Sequence, residues 1–183
     1  MDAAFSAQRG NMNKMIFTII LCSIEVLTVF PCSIFTYKIG STTFFCGNED
    51  WTAKDPAILT IKPENNKYGV VLFGWDSYLP NYPQAGVNSE GLCFDWATVP
   101  GQRFEYVNGK SILNINDMVT ILKECKTVNE AIEYISRYNF PHIAEEHLML
   151  TDKSGDSCVI EYTRGELDNV NNFSHIYRGH PIR

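Results

Sequence analysis

The sequence has no CxxC pair, no basic excess, no internal repeat, no low-complexity tract and no apolar run of membrane-spanning length. Each absence removes a class of protein. Without CxxC spacing, the six cysteines (Cys22, Cys32, Cys46, Cys93, Cys125 and Cys158) point to neither a zinc site nor thiol–disulfide exchange. They are also too sparse for a disulfide-stapled mini-protein. Lys and Arg number 15 against 21 Asp and Glu, a net charge of −6, and the cations are scattered, so nothing here tracks a phosphate backbone and nucleic acid is excluded as a partner. What is present is ordinary globular composition, 45% hydrophobic and 13% aromatic, over 183 residues, enough for one domain with a real core.

The apolar run from Met15 to Phe30 follows Arg9 and Lys14, the order of a secretory signal. Broken by Glu25, it falls short of the about 20 residues a membrane span needs. Residues 1–31 are therefore expected to be a leader, with an uncleaved membrane anchor as the alternative, and residues 32–183 the folded domain. The leader predicts a secreted, endomembrane or periplasmic protein that meets a membrane only if the leader is retained. Losing Cys22 with the leader would leave an odd number of cysteines, so at least one thiol is expected to be free.

Strand signals dominate the first half. Ser33–Cys46 reads as a hairpin around Lys38-Ile39-Gly40-Ser41, and Ala57–Lys62 with Tyr68–Trp75 as a second. Asp76–Ala85, with Pro80 and Pro83, reads as a surface loop, Gly86–Gly91 as a turn, and Leu92–Ala97 as a strand. The period then changes. Ile115, Met118, Val119 and Leu122 predict a helix with Asn116 as its cap, and Thr127 with Glu130 predicts a capping box opening a second helix that stops before Pro141. His147–Leu150 and Cys158–Tyr162 predict a final hairpin around Lys153-Ser154-Gly155, with no evident closing element after Arg164. Strands, two helices, then strands make an α+β fold with a largely antiparallel sheet. Strands as apolar as Val70–Trp75 and Leu92–Trp96 look covered on both faces, more than one helical pair can cover.

Cys32 is the residue with the most unusual chemical potential. A chain cut before it would begin with one residue carrying both a thiol and a free α-amine, and an amine of pKa about 7.7–8.0 can serve as a general base near neutrality. The bland alternative is a strand-initial core cysteine. Read in order, Cys32, the turn Gly47-Asn48-x-Asp50-Trp51, the turn Gly86-Val87-Asn88-Ser89-Glu90-Gly91-Leu92, the helices around Cys125-Lys126-Thr127-Val128, and Thr151-Asp152-Lys153-Ser154-Gly155 resemble the N-terminal-nucleophile (Ntn) hydrolases of the choloylglycine hydrolase and penicillin V acylase type, which cleave linear amide C–N bonds. The resemblance runs from about Cys32 to Tyr162.

That resemblance implies an αββα sandwich, of which this chain carries the N-terminal part. It implies Cys32 as nucleophile with its own α-amine as base, Asp50 holding that amine, and Asn88 offering its backbone N–H to the oxyanion. Taken alone, Asp50 is a common turn residue and Asn88 a common left-handed one. The implied substrate is a small N-acyl amide, with no cofactor and no metal, in a chain open to homo-oligomer assembly. Two positions depart from the family. Gly47 stands where bile-salt-cleaving members usually carry arginine, which argues against bile-salt specificity. No residue matches the second oxyanion asparagine and further arginine that lie beyond the Asp-Lys-Ser-Gly hairpin in longer members. Val29-Phe30-Pro31 also lacks the small residues signal peptidase prefers.

Weaker readings remain. His142 and His147 could be a metal pair, or His147 the base of a papain-like cysteine, but no third ligand and no papain signature accompanies them. Trp51, Trp75, Trp96 and Tyr82 read as core and pocket lining, and Asn172-Phe173-Ser174 as a glycosylation sequon. The competing function is a catalytically silent, truncated fragment that is membrane-tethered or binding-only.

Overall fold

The computed structural model describes residues 32–50 and 55–162, and the backbone of 175–179. The expected leader, Trp51 and the sequon lie outside the described residues. Two sheets form. The first is the hairpin β1 (Ser33–Ile39) and β2 (Thr42–Asn48), joined at Gly40-Ser41, where Gly40 adopts φ 58°. A φ of that sign suits glycine, which has no Cβ to clash. The second is an antiparallel seven-stranded meander in sequence order: β3 (Pro56–Ile61), β4 (Val70–Trp75), β5 (Ala85–Asn88), β6 (Cys93–Thr98), β7 (Glu146–Thr151), β8 (Ser157–Glu161) and β9 (His175–Gly179).

Two of these strands differ from the sequence-based expectation. Gly86-Val87-Asn88, expected as a turn, belongs to β5, and the tight turn is confined to Ser89-Glu90-Gly91, closed by Gly91 N–H donating to Asn88 O (3.0 Å). The chain also gains β9, paired with β8 from Ser157↔Gly179 to Glu161↔His175, where no closing element was evident. Backbone pairing to a waiting strand edge supplies what side-chain pattern does not announce.

Two helices cover one face of the large sheet. Helix α1 (Met118–Glu124) follows a 3-10 turn at Ile115–Asp117, and α2 is Val128–Ser136. Asn114, not Asn116, opens the turn, its N–H donating to Asp117 Oδ2 (2.7 Å). Thr127 caps α2 by accepting from Glu130 N–H (3.2 Å), while Glu130 Oε2 accepts from Lys126 N–H (2.7 Å), one residue ahead of the cap. The buried faces, Met118, Ile121 and Leu122 on α1 and Val128, Ala131 and Ile135 on α2, meet Leu72, Phe94, Leu148, Leu150 and Ile160 of the sheet. Each such side chain contributes about 1.5–3 kcal/mol on burial. Gly86 sits in the middle of this face, and a Cβ there would come within 2.8 Å of both Leu122 and Phe94, so glycine sets how closely α1 approaches.

The opposite face receives the β1–β2 hairpin at the β6–β7 end. Thr36 and Thr151 hydroxyls hydrogen-bond (2.7 Å), Lys38 Nζ donates to Ser154 O (2.6 Å), and Thr43 Oγ1 donates to Lys153 O (3.1 Å). Away from that end the face is open, with Ile58 69% exposed on β3 and Phe73 39% exposed on β4. The sequence anticipates two-sided cover for Val70–Trp75 and Leu92–Trp96; among the described residues β4 leaves Phe73 39% exposed on the face away from the helices.

Asn88 ties the layers on the helix face. Its Nδ2 donates to Leu122 O and Cys125 O (2.7 Å each), carbonyls at the end of α1, and its Oδ1 accepts from Glu90 N–H and Leu92 N–H (3.0 Å each). All four hydrogen-bonding positions of the amide are used at 5% exposure. Asn88→Ala is expected to lower the unfolding free energy by about 2–4 kcal/mol, because it strands four backbone groups at once. Denaturant titration reads this as a lower midpoint at unchanged slope; a change under 1 kcal/mol would show that the amide is not the tie.

Candidate active site

Register places Cys32 beside the end of β2. Ser33 pairs with Asn48, so Cys32, one residue earlier, stands against Glu49 and Asp50, one and two residues later. The Cys32 thiol donates to Glu49 Oε2 at 3.7 Å, and the Asp50 backbone hydrogen-bonds to the sulfur. Asn48 Nδ2 donates to Asp50 Oδ2 (3.2 Å), which fixes the aspartate side chain on its turn. Burial raises the thiol above its ordinary pKa, and the Glu49 and Asp50 charges add to the rise against the Asp50 hydrogen bond that lowers it. At neutral pH the sulfur holds its proton and needs a base.

Cys32 lines a cavity of about 310 Å³ with Glu49, Tyr82, Gln84, Thr98 and Glu146. Glu49, Trp75 and Gln84 also line a second cavity of about 1010 Å³, which runs between β2 and the open sheet face past Phe45, Ile58 and Phe73. Both spaces are lined mostly by apolar surface; the small one holds the thiol and the Glu49 and Glu146 carboxyls. Thr98 Oγ1 donates to Glu146 Oε1 (3.2 Å), while Glu146 Oε2 is buried without a hydrogen-bond partner among the described residues, and burial raises this carboxyl.

Asp95 on β6 is the deepest titratable group here, 2% exposed. Its Oδ1 accepts from Trp96 N–H (2.8 Å), and it hydrogen-bonds to the Glu49 and Gln84 side chains. A Cβ at position 47 would collide with Asp95 Oδ2, so only glycine lets β2 pass this carboxyl. The glycine that departs from the arginine pattern is thus matched by an acid reaching into the same space. Burial first, and the Glu49 charge second, raise Asp95 to about 8.

Of the residues expected from sequence, the structure brings Cys32 and Asp50 together. Asn88 is elsewhere: it faces the helices, its N–H donates to Leu92 O (3.0 Å), and that donor is spent within its own turn. Its side chain ties this turn to the end of α1. Glu49, Asp95, Gln84 and Glu146 were not expected, and no signal short of strand register and face parity reveals them. The Asp152 motif is also structural, Oδ2 accepting from Val128 N–H (3.1 Å) at the start of α2 and Oδ1 accepting from Ser154 Oγ (2.5 Å) and Ser154 N–H (2.9 Å).

With this geometry in place, residues 57–176 match the family described as linear amide C-N hydrolases, choloylglycine hydrolase family. The chain belongs to that family. Among solved structures, a variant of the conjugated bile acid hydrolase from Clostridium perfringens aligns at 19% identity and TM-score 0.59, over 82% of this chain and 51% of that one. Penicillin V acylase from Agrobacterium tumefaciens aligns at 17% identity and TM-score 0.53, over 81% and 49%. These likenesses establish the α+β Ntn-hydrolase fold, and this member of the choloylglycine hydrolase family spans about half the length of the structures it matches. No curated protein matches the chain.

The histidines are each engaged on their own. His142 packs edge-on against Trp96 (4.7 Å between centroids) and Tyr82 (5.5 Å), and burial lowers it to about 4. His147 Nε2 faces Glu161 Oε2 at 3.1 Å across β7 and β8. No group of three potential ligands that could hold a metal ion occurs among the described residues. None of the five described cysteines forms a disulfide among the described residues. They are spread over separate places: Cys46 on the outer side of the hairpin, Cys93 and Cys158 on opposite faces of the large sheet, and Cys125 at the end of α1.

The two shifted groups make folding stability depend on pH with opposite signs. Asp95, raised from 3.8 to about 8, keeps its proton in the folded chain. Its stabilisation is complete below the lower value and is lost as pH rises through the higher. His142, lowered from 6.5 to about 4, costs stability as pH falls between those values. The two largely offset each other up to about pH 6.5, above which Asp95 acts alone. Unfolding free energy is expected to fall by roughly 2 kcal/mol from pH 6.5 to 8. Asp95→Asn should flatten that fall; an unchanged slope in urea titrations across the interval would exclude Asp95 as its source.

Proposed function

We propose that the chain is an amidase that cleaves the linear C–N bond of a small N-acyl amide, with Cys32 as nucleophile once it has become the N-terminal residue. The observation that carries this reading is the Cys32 thiol, protonated and cavity-facing, beside the Asp50 turn in a chain of the choloylglycine hydrolase family. The leader directs the chain out of the cytosol, and its removal before Cys32 frees the α-amine.

In this reading the amine takes the thiol proton as sulfur attacks the amide carbonyl. The C–N bond breaks, the amine passes the proton to the departing nitrogen, and a thioester remains. Water then attacks the thioester under the same base, releasing the acid and restoring the thiol. Asp50 holds and orients the ammonium form of the base. The acyl group extends into the larger cavity, against Phe45, Ile58 and Phe73, and the amine side occupies the smaller one beside Glu49 and Glu146.

A second reading is favoured by the length relation: a chain spanning about half of the solved structures it matches could be a non-catalytic, tethered or binding-only form. Intact mass, N-terminal sequencing and hydrolysis assays separate the two. A mature chain beginning at Cys32 should hydrolyse an acylated amino acid or penicillin V. Cys32→Ser should abolish turnover and Cys125→Ser, a buried thiol pushed up to about 11, should leave it. A mature chain that retains Pro31, or a Cys32→Ser protein that still turns over, would sink the nucleophile assignment.

A further inference from the structure

We propose that Glu49 and Asp95 form a carboxyl pair sharing one proton, and that this pair positions the Cys32 thiol and restrains its ionisation. Its catalytic meaning rests on the nucleophile reading above, but the pair itself is a matter of geometry.

Two carboxyl groups can hydrogen-bond only if one of them supplies a proton. Asp95 is 2% exposed and bonded to the Glu49 side chain, so the buried partner is the one that holds it. Glu49 Oε2 in turn accepts from the Cys32 thiol. The result is a short chain, Asp95 O–H to Glu49 carboxylate to Cys32 S–H, joining the large sheet to the start of the hairpin. Gly47 makes it reachable, because any side chain there would occupy the position of Asp95 Oδ2. Gln84 hydrogen-bonds the same carboxyl from the β4–β5 side and donates from Nε2 to Trp96 O (3.2 Å).

The other titratable groups facing the pair are Asp50 on the same turn, Glu146 on β7, and Tyr78 and Tyr82 on the segment before β5. None brings a positive charge at neutral pH. When the shared proton leaves, as Asp95 passes about 8, the pair carries a second negative charge beside the thiol, whose own ionisation burial and the Glu49 charge already push up. The two ionisations oppose each other and spread over a wider range than either alone.

The test is the rate of iodoacetamide alkylation of Cys32 in the full chain, followed by peptide mass spectrometry from pH 6 to pH 10. It needs no turnover, so an inactive chain that gives the expected profiles supports the pair even as the amidase reading falls. The wild-type profile should rise more shallowly than a one-proton curve. Asp95→Asn should restore one-proton steepness above pH 8, with alkylation at pH 9 about threefold to tenfold faster, since a tenfold change in thiolate is one pKa unit. Glu49→Gln, a change at an exposed position that keeps the test open if Asp95→Asn folds poorly, should raise alkylation across the whole range. A role confined to packing would move none of these profiles. A wild-type curve that is one-proton and coincides with Glu49→Gln would overturn the proposal.

Discussion

The site depends on one contact between sheets, the passage of Gly47 over the buried carboxyl of Asp95. The β1–β2 hairpin forms its own sheet and has no backbone ladder to the large one, so its placement rests on side chains. At one end these are Thr36, Lys38 and Thr43 against the β7–β8 turn; at the other they are Glu49 and the space left by Gly47 against Asp95. The exposed Lys38 and Thr43 contacts contribute little each, and the partly buried Thr36–Thr151 bond is a single neutral one. A buried carboxyl has no such latitude, because leaving it without a donor or a proton is costly. Asp95 therefore fixes how β2 lies over β6, and with it where Cys32 and Asp50 stand, since both are within two residues of the paired ends of the hairpin.

On the helix face a different polar residue does comparable work. Asn88 closes its own turn and holds the last carbonyls of α1, and Asp152 accepts the first N–H of α2. Helix ends leave such groups without intrahelical partners, and a buried end must find them. The Asn88 and Asp152 turns are thus fasteners for the helix pair. They sit on β5 and after β7, and what they hold in place is the layer behind the sheet, so that its other face is free to carry the cavity.

Much of this is legible in the sequence where the signal is local. The hairpins, the helix pair with Thr127 as a cap, and the polar turn at Asp152 follow from alternation, period and turn chemistry. The approach of Asp50 to Cys32 is legible for the same reason, since a hairpin with a two-residue turn brings its ends together. Strand β5 is not, because Gly86 and Asn88 are turn-forming residues placed in a strand by tertiary demands: Gly86 by the closeness of Leu122, Asn88 by the helix carbonyls. Nor is β9, whose existence depends on the free edge of β8. Asp95 reads as a polar interruption in an apolar strand, and only its row, shared with Ala85 and Met149 across the sheet, shows that it points away from the helices and toward Cys32.

The same row changes the electrostatic character expected of the site. An arginine beside a thiol stabilises the thiolate, whereas a carboxyl pair stabilises the thiol. With Gly47 in place of the cation and Glu49 and Asp95 nearby, the sulfur is held in its protonated form, and any attack must carry the proton away in the same step. That places the demand on the base: it must be close, near-neutral in pKa and itself held by a negative charge after it accepts the proton. In the proposed mechanism an α-amine on the same residue meets the first two conditions by construction. In that mechanism Asp50 meets the third, since a nearby carboxylate favours the ammonium that the step creates. The carboxyl-rich environment that suppresses a thiolate is the one in which an amine base is best retained, so the loss of arginine at position 47 is compatible with the chemistry and shifts its weight from the nucleophile to the base.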